Sequence, residues 1–210
     1  MKNGDPPRQR KFEGNQIIME TRLMPSPREA AVLDTDETRA TFLLEDLFLP
    51  GQVCLVYTDL DRAIVGSATP TSTPLTLGND EALKADFFCQ RREIGILNIG
   101  EAGSVTVDCK VYEIAKHDCL YIGRGSREVS FASASAEMPA AFYLVSYPAH
   151  AAHPTVKATR ADANRVELGT KDECNERTIF QYVHENGIKS CQLVLGFTEF
   201  QPGSIWNTMP

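Results

Sequence analysis

No apolar run in this chain approaches the roughly 20 residues that a membrane-crossing helix needs. The early trio Ile17-Ile18-Met19 is also far too short for the core of a secretory leader. A cytoplasmic protein without a membrane partner is therefore expected. The six cysteines, Cys54, Cys89, Cys109, Cys119, Cys174 and Cys191, form no Cys-x-x-Cys pair, which excludes a zinc ribbon and a thioredoxin-like motif. They read as reduced and largely semi-buried thiols. A Gly-x-Gly-x-x-Gly order is missing too: Gly100-Glu101-Ala102-Gly103 has the wrong spacing and no helix pattern after it, so a dinucleotide loop is excluded. Positive charge is scarce, with 21 Lys and Arg against 28 Asp and Glu and a formal charge of -7. Phosphate backbones call for a clustered basic excess, so no nucleic-acid partner is expected, although a local basic pocket for a small anion stays open.

What the chain does have is β pattern. Its 210 residues are 42% apolar and 23% charged, ordinary globular values and enough to bury a sizeable core. The pattern is densest over Leu97 to Gly125. Ile99, Val105, Val107, Val111, Tyr112, Ile114, Leu120, Tyr121 and Ile122 alternate there with turn signals at Gly100, Gly103, Asp108, Asp118, Gly123 and Gly125. Successive strands of one barrel are predicted. At Asp108-Cys109 a glycine would suit a two-residue turn better than cysteine does.

Taken in order, residues 1–18 are polar, contain Pro6-Pro7 and read as a disordered lead, since the basic run of Arg8, Arg10 and Lys11 is too brief for a nucleic-acid patch. Ser26-Pro27-Arg28-Glu29 and Asp34 with Glu37 both carry helix-start signals, and the two short helices are expected to cover one end of the barrel. Strands follow over 47–49, 53–57 and 63–65, while the prolines of Thr69 to Leu77 place that segment on an edge or in a loop. Further strands are read over 128–132 and 141–147. Residues 19–150 thus form a first barrel with its N-terminal helices, 151–177 a linker, and 178–210 the start of a second barrel with strands over 178–183 and 191–200 around an Asn186-Gly187 turn.

Two local groups could carry chemistry. Arg91, Arg92 and Glu93 precede an apolar run and could hold a substrate carboxylate through bidentate hydrogen bonds, or form a structural ion-pair knot or a subunit contact. Among His117, His150, His153 and His184, only His150 and His153 have a ligand-like spacing. Pro148 and Pro154 bracket that pair, so a loop or hydrogen-bonding role is the expectation there.

The run Gln90-Arg91-Arg92-Glu93-Ile94-Gly95-Ile96-Leu97-Asn98-Ile99-Gly100 is the first of several separated motifs. With Asp118 to Gly123, Pro148-Ala149-His150, Cys191-Gln192-Leu193 and the terminal Pro202-Gly203-Ser204-Ile205-Trp206-Asn207-Thr208-Met209-Pro210, it resembles the bacterial 5-keto-4-deoxyuronate isomerase family. That family is also named 4-deoxy-L-threo-5-hexosulose-uronate ketol-isomerase. The resemblance covers about residues 19–210. It implies an all-β fold of two cupin-like (double-stranded β-helix, jelly-roll) barrels, the second incomplete here. It also implies zinc in that second barrel, a hexamer, and an isomerase of pectin and uronate breakdown that acts on a small anionic sugar acid and makes 3-deoxy-D-glycero-2,5-hexodiulosonate.

In the family, the motif ending at Pro210 is followed by a Cys-His-Thr-His-Glu segment that supplies zinc ligands. No numbered residue here inherits a ligand role, and the catalytic base is unassigned. The chain is accordingly expected to be truncated, to bind no zinc and to be inactive, which leaves a non-catalytic structural or assembly module as the alternative function. Trp206 and Asn207, just ahead of the ligand segment, are the implied pocket residues; core filling and a turn are the competing roles. Strands 178–183 and 192–200 would lack most of their sheet, which favours pairing with another chain.

Overall fold

A computed structural model describes residues 19–206, and the lead expected over residues 1–18 lies outside them. Strand β1 (Met19–Arg22) runs parallel to β2 (Val53–Thr58), with Met19 opposite Leu55. Parallel neighbours need a crossover, here built from two short helices, α1 (Pro27–Ala30) and α2 (Thr35–Phe42). Both helices start at the expected capping boxes, Ser26 with Glu29 and Asp34 with Glu37. Neither buries a residue, so they do not cover a barrel end as expected. Nor do residues 47–49 form a strand.

The chain continues through β3 (Ile64–Ala68), β4 (Leu75–Thr76), β5 (Arg92–Asn98), β6 (Gly103–Val107), β7 (Lys110–Ile114), β8 (Cys119–Ile122), β9 (Val129–Ser133) and β10 (Phe142–Pro148). Then come β11 (Val156–Ala158), β12 (Asn164–Leu168), β13 (Arg177–Val183) and β14 (Leu195–Phe200). They form a seven-stranded sheet in the order β1-β2-β3-β10-β5-β8-β11, a four-stranded sheet β4-β9-β6-β7 and a three-stranded sheet β12-β13-β14. The fold is all-β, as expected, with the short helices confined to the connections.

The first two sheets enclose one apolar core. Leu55, Ile64, Ile94, Ile96 and Leu144 from the larger sheet meet Leu75, Val105, Phe131 and Ile114 from the smaller. The proline-rich stretch contributes only the two-residue edge strand β4. Between β6 and β7, Asp108 and Cys109 both take positive φ, 47° and 69°, so the tight turn forms with cysteine where glycine is favoured. Asp108 Oδ1 offsets part of that strain by accepting the Arg127 and Glu128 N–H groups at 2.8 and 2.9 Å.

All seven residues of β5 are buried. Successive side chains of a strand face opposite ways, so Ile94 and Ile96 enter the first core while Leu97 enters a second one on the outer face. This second core joins Leu97, Cys119, Tyr121 and Val145 to Phe180, Tyr182, Leu193 and Leu195 of the three-stranded sheet region. Gly95 permits the approach: a Cβ there would lie 2.6 Å from Leu193 Cδ2 and 2.8 Å from Leu195 Cδ2. The segment expected as a linker carries β11, which extends the seven-stranded sheet, and β12, which extends the three-stranded one. Strands β13 and β14 are thus paired, though over a shorter span than expected, because β14 begins at Leu195 and not at Cys191.

Candidate functional site

The late start of β14 and the fate of Arg91, Arg92 and Glu93 have one cause. Strand alternation points Glu93 outward, where its carboxylate is fully buried and collects four donors. Oε1 accepts the Gln192 and Leu193 N–H groups at 2.7 and 2.9 Å, and Oε2 accepts the Cys191 N–H at 2.8 Å and the Tyr121 hydroxyl at 2.7 Å. Three successive backbone donors are therefore drawn to a side chain and not to a ladder. Burial alone would raise the Glu93 pKa, but these hydrogen bonds outweigh it and hold the carboxyl below its ordinary range. Tyr121 moves the opposite way, raised first by burial and then by its bond to the Glu93 carboxylate.

Arg92 points inward. Its Nε donates to Ser146 Oγ at 3.1 Å, and its Nη2 to the carbonyls of Arg62 and Ser146 at 2.6 and 2.8 Å. Ser146 Oγ in turn donates to the Glu93 carbonyl at 2.6 Å. Burial lowers the Arg92 pKa to about 10, so it stays charged at neutrality on neutral oxygens alone. Arg91 is exposed and donates to the carbonyls of Leu83, at 3.0 Å, and Lys84. The three residues point three ways, with no ion pair among them and no shared site for a carboxylate. Asn98, from the same motif, receives the N–H groups of Gly100 and Ala141 at 3.1 and 3.2 Å and donates to the Glu101 carbonyl at 2.7 Å. The motif is a set of structural knots.

Trp206 is 63% exposed, so it does not fill a core. Its ring meets Phe200 edge-on at 6.0 Å, and the Arg177 guanidinium lies over it at 5.8 Å. Asn207 lies outside the described residues. Arg177, Ile179 and Gln181 alternate with the inward Thr178, Phe180 and Tyr182, so they share the outward face of the three-stranded sheet, and register places Phe200 opposite Arg177. An aromatic ring beside a guanidinium suits a sugar ring bearing a carboxylate.

Sequence reasoning missed a polar seam between the larger sheet and the three-stranded one. Arg160 contacts His117 Nδ1 at 3.3 Å, pairs with Glu199 and lies 4.6 Å over the Phe180 ring. Burial, then the Arg160 charge, lowers the His117 pKa. Nearby, Lys157 Nζ pairs with the buried Asp118 at 3.0 Å. A cavity of about 760 Å³ opens beside this seam, between β11 and the end of β13, lined by Lys157, Asp162, Asn164, Gln181, His184 and Glu185 among others. Its two carboxylates and its already paired lysine do not suit an anion.

His150 and His153 sit in the non-helical loop after β10, with the His153 carbonyl packed on Gly123. Among the described residues no group of three or more His, Cys, Asp or Glu could hold a metal ion. The residues present therefore do not fit a zinc site, and none is assigned as a ligand. No described helix is long and apolar enough to cross a membrane.

A profile of the KduI/IolB family matches residues 49–210. Curated proteins named 4-deoxy-L-threo-5-hexosulose-uronate ketol-isomerase are similar over most of the chain. The protein from Opitutus terrae is 51% identical over 91% of this chain and 70% of its own length. Those from Formosa agariphila and Halalkalibacterium halodurans are 48% and 47% identical, again over 91% of this chain and over 68% and 70% of their own lengths. Among solved structures, an IolB-like protein from Salmonella typhimurium aligns with TM-score 0.43 and 13% identity over 57% of this chain and 43% of that one. A cupin protein from Bacteroides fragilis aligns with TM-score 0.32 and 16% identity over 50% and 79%.

Proposed function

The chain belongs to the KduI/IolB family, and from that premise we propose that the protein is a cytoplasmic, homo-oligomeric ketol-isomerase. Its substrate is 4-deoxy-L-threo-5-hexosulose uronate and its product 3-deoxy-D-glycero-2,5-hexodiulosonate, a step in pectin and uronate breakdown. The observation that carries this reading is the 51% identity, over nine-tenths of the chain, to a protein bearing that enzyme's name.

The reaction moves a proton between adjacent carbons through an enediol, which calls for a base at the C–H bond and an electrophile at the oxygens. In the family reading a bound zinc would supply that electrophile. The described residues hold no ligand set for it. What they offer is substrate positioning. The Trp206 ring and the Arg177 guanidinium, next to each other on the outward face of the three-stranded sheet, would take the sugar face and the carboxylate.

The test is conversion of purified substrate by the purified protein, followed by NMR with and without EDTA. Product formation that EDTA abolishes and zinc restores supports the reading. Absence of conversion by zinc-loaded protein overturns it.

A further inference from the structure

The Asn186-Gly187 pair forms the expected turn, but no ladder closes behind it, because β13 resumes its pairing only at Leu195. The Gly187 N–H donates to the His184 carbonyl at 3.0 Å. Ile188 then bridges Val183 and donates its own N–H to the Tyr182 carbonyl at 3.1 Å. Asn186 stands at the exposed tip, and its side-chain amide has no hydrogen-bond partner among the described residues.

An imidazole lies along this peptide. The Asn186 N–H donates to His184 Nδ1 at 3.4 Å. At the opposite edge of the ring, a Cβ on Gly187 would stand 2.6 Å from both Cδ2 and Nε2, and 2.5 Å from the Tyr182 carbonyl oxygen, so the position admits only glycine. Lys189 Nζ donates to the Glu185 carbonyl at 2.5 Å, which sets a positive charge on the same tip. Glycine is also the residue whose main chain turns most freely, so its nitrogen can swing toward the preceding side chain. The bond from the Gly187 N–H to the His184 carbonyl opposes that swing, and a bond at an exposed tip opens at little cost.

We propose that Asn186 is a self-modification site, deamidated through attack of the Gly187 main-chain nitrogen with the His184 imidazole as proton acceptor. The Gly187 nitrogen gives up its proton to the imidazole and bonds to Asn186 Cγ. The bond from Cγ to the side-chain nitrogen breaks, and ammonia leaves with that proton. A five-membered succinimide remains. Water opens it at either carbonyl, so the sum is amide plus water giving acid plus ammonia, with no change of oxidation state. One product is aspartate; the other is isoaspartate, in which the main chain gains a carbon. Either adds a carboxylate to the rim of the cavity that Asp162, His184 and Glu185 line. Isoaspartate also lengthens the turn that seats Ile188 against the second core, just ahead of Cys191 and its bond to Glu93.

The whole protein is incubated at physiological temperature and pH, digested at intervals and resolved by mass spectrometry, with isoaspartate counted by isoaspartyl methyltransferase. The other Asn-Gly pair of the sequence, Asn3-Gly4, is the clock in the same digests. The Asn186 peptide should convert from amide to acid and gain isoaspartate, and Asn186→Gln should abolish both. His184→Gln, and His184→Phe, which keeps the ring's bulk without its proton acceptor, should each slow conversion at Asn186 at least threefold and leave Asn3 unchanged. An Asn186 peptide that stays intact while the Asn3 peptide converts fully overturns the site. Conversion at the wild-type rate in either His184 variant overturns the part given to the imidazole.

Discussion

Glu93 Oε1 accepts the main-chain N–H of Leu193 at 2.9 Å across 100 residues of sequence. With the Gln192 and Cys191 donors, this bond ties the middle of the seven-stranded sheet to the segment that leads into β14. Replacing Glu93 with Ala leaves the buried Leu193 N–H, the partly buried Cys191 and Gln192 N–H groups and the buried Tyr121 hydroxyl without their acceptor and should cost about 2–4 kcal/mol. Glu93→Gln, which presents an amide N–H₂ to at least one of those donors, should cost about 2–3 kcal/mol. Urea denaturation midpoints measure both, and a loss below about 1 kcal/mol for Ala would show that the latch contributes little.

The same carboxylate sets an acid limit. Its pKa is lower folded than unfolded, where the ordinary value is 4.5. The unfolded chain then binds more protons in that window, so the contribution is complete above about pH 5 and is lost as pH falls through the folded value. Tyr121 sets the alkaline limit with the opposite sign: its raised pKa keeps the folded phenol protonated, so stability falls as pH rises above 10. Urea midpoints against pH should show both limbs, with Glu93→Gln flattening the acid one and Tyr121→Phe the alkaline one.

Cys109 occupies a turn position with φ of 69°. Left-handed backbone costs a non-glycine residue about 1–2 kcal/mol, so Cys109→Gly should stabilise the protein by about 1 kcal/mol after the entropy cost of glycine. A melting point at or below that of the wild type would contradict this.

Gly123 is the reverse case. A Cβ there would sit 1.8 Å from the His153 carbonyl oxygen, against backbone that cannot swing aside. Gly123→Ala should therefore cost about 3 kcal/mol or more, read from the same urea midpoints; a neutral effect would mean that the loop after β10 is not held against β8.

The six thiols should separate by reactivity toward DTNB. Cys109 and Cys174 are exposed and should react first, and the half-buried Cys54 and Cys191 slowly. Cys89 and Cys119 are buried, with burial pushing their pKa values up to about 12, and should stay silent until urea unfolds the chain.

Sequence alone determined what depends on neighbours along the chain. The capping boxes at Ser26 and Asp34, the β6–β7 turn at Asp108, the edge strand within the proline-rich stretch and the strands from Leu97 to Gly125 are local signals, and each forms where it was read. Family membership was legible as well, because it rests on motifs. Tertiary structure decided what Arg91, Arg92 and Glu93 do. Adjacent in sequence, they look like one charged group, but strand alternation sends Arg92 into the first core and Glu93 out to donors 98 to 100 residues away. No local pattern announces a partner at that distance. The strands hidden in the polar stretch 151–177 were unreadable for the same reason, since β11 and β12 pair only because β8 and β13 are placed beside them. Exposure of Trp206 was likewise settled by packing: β14 turns its second face outward, and the ring beyond its end lies against Phe200 and Arg177 on that face.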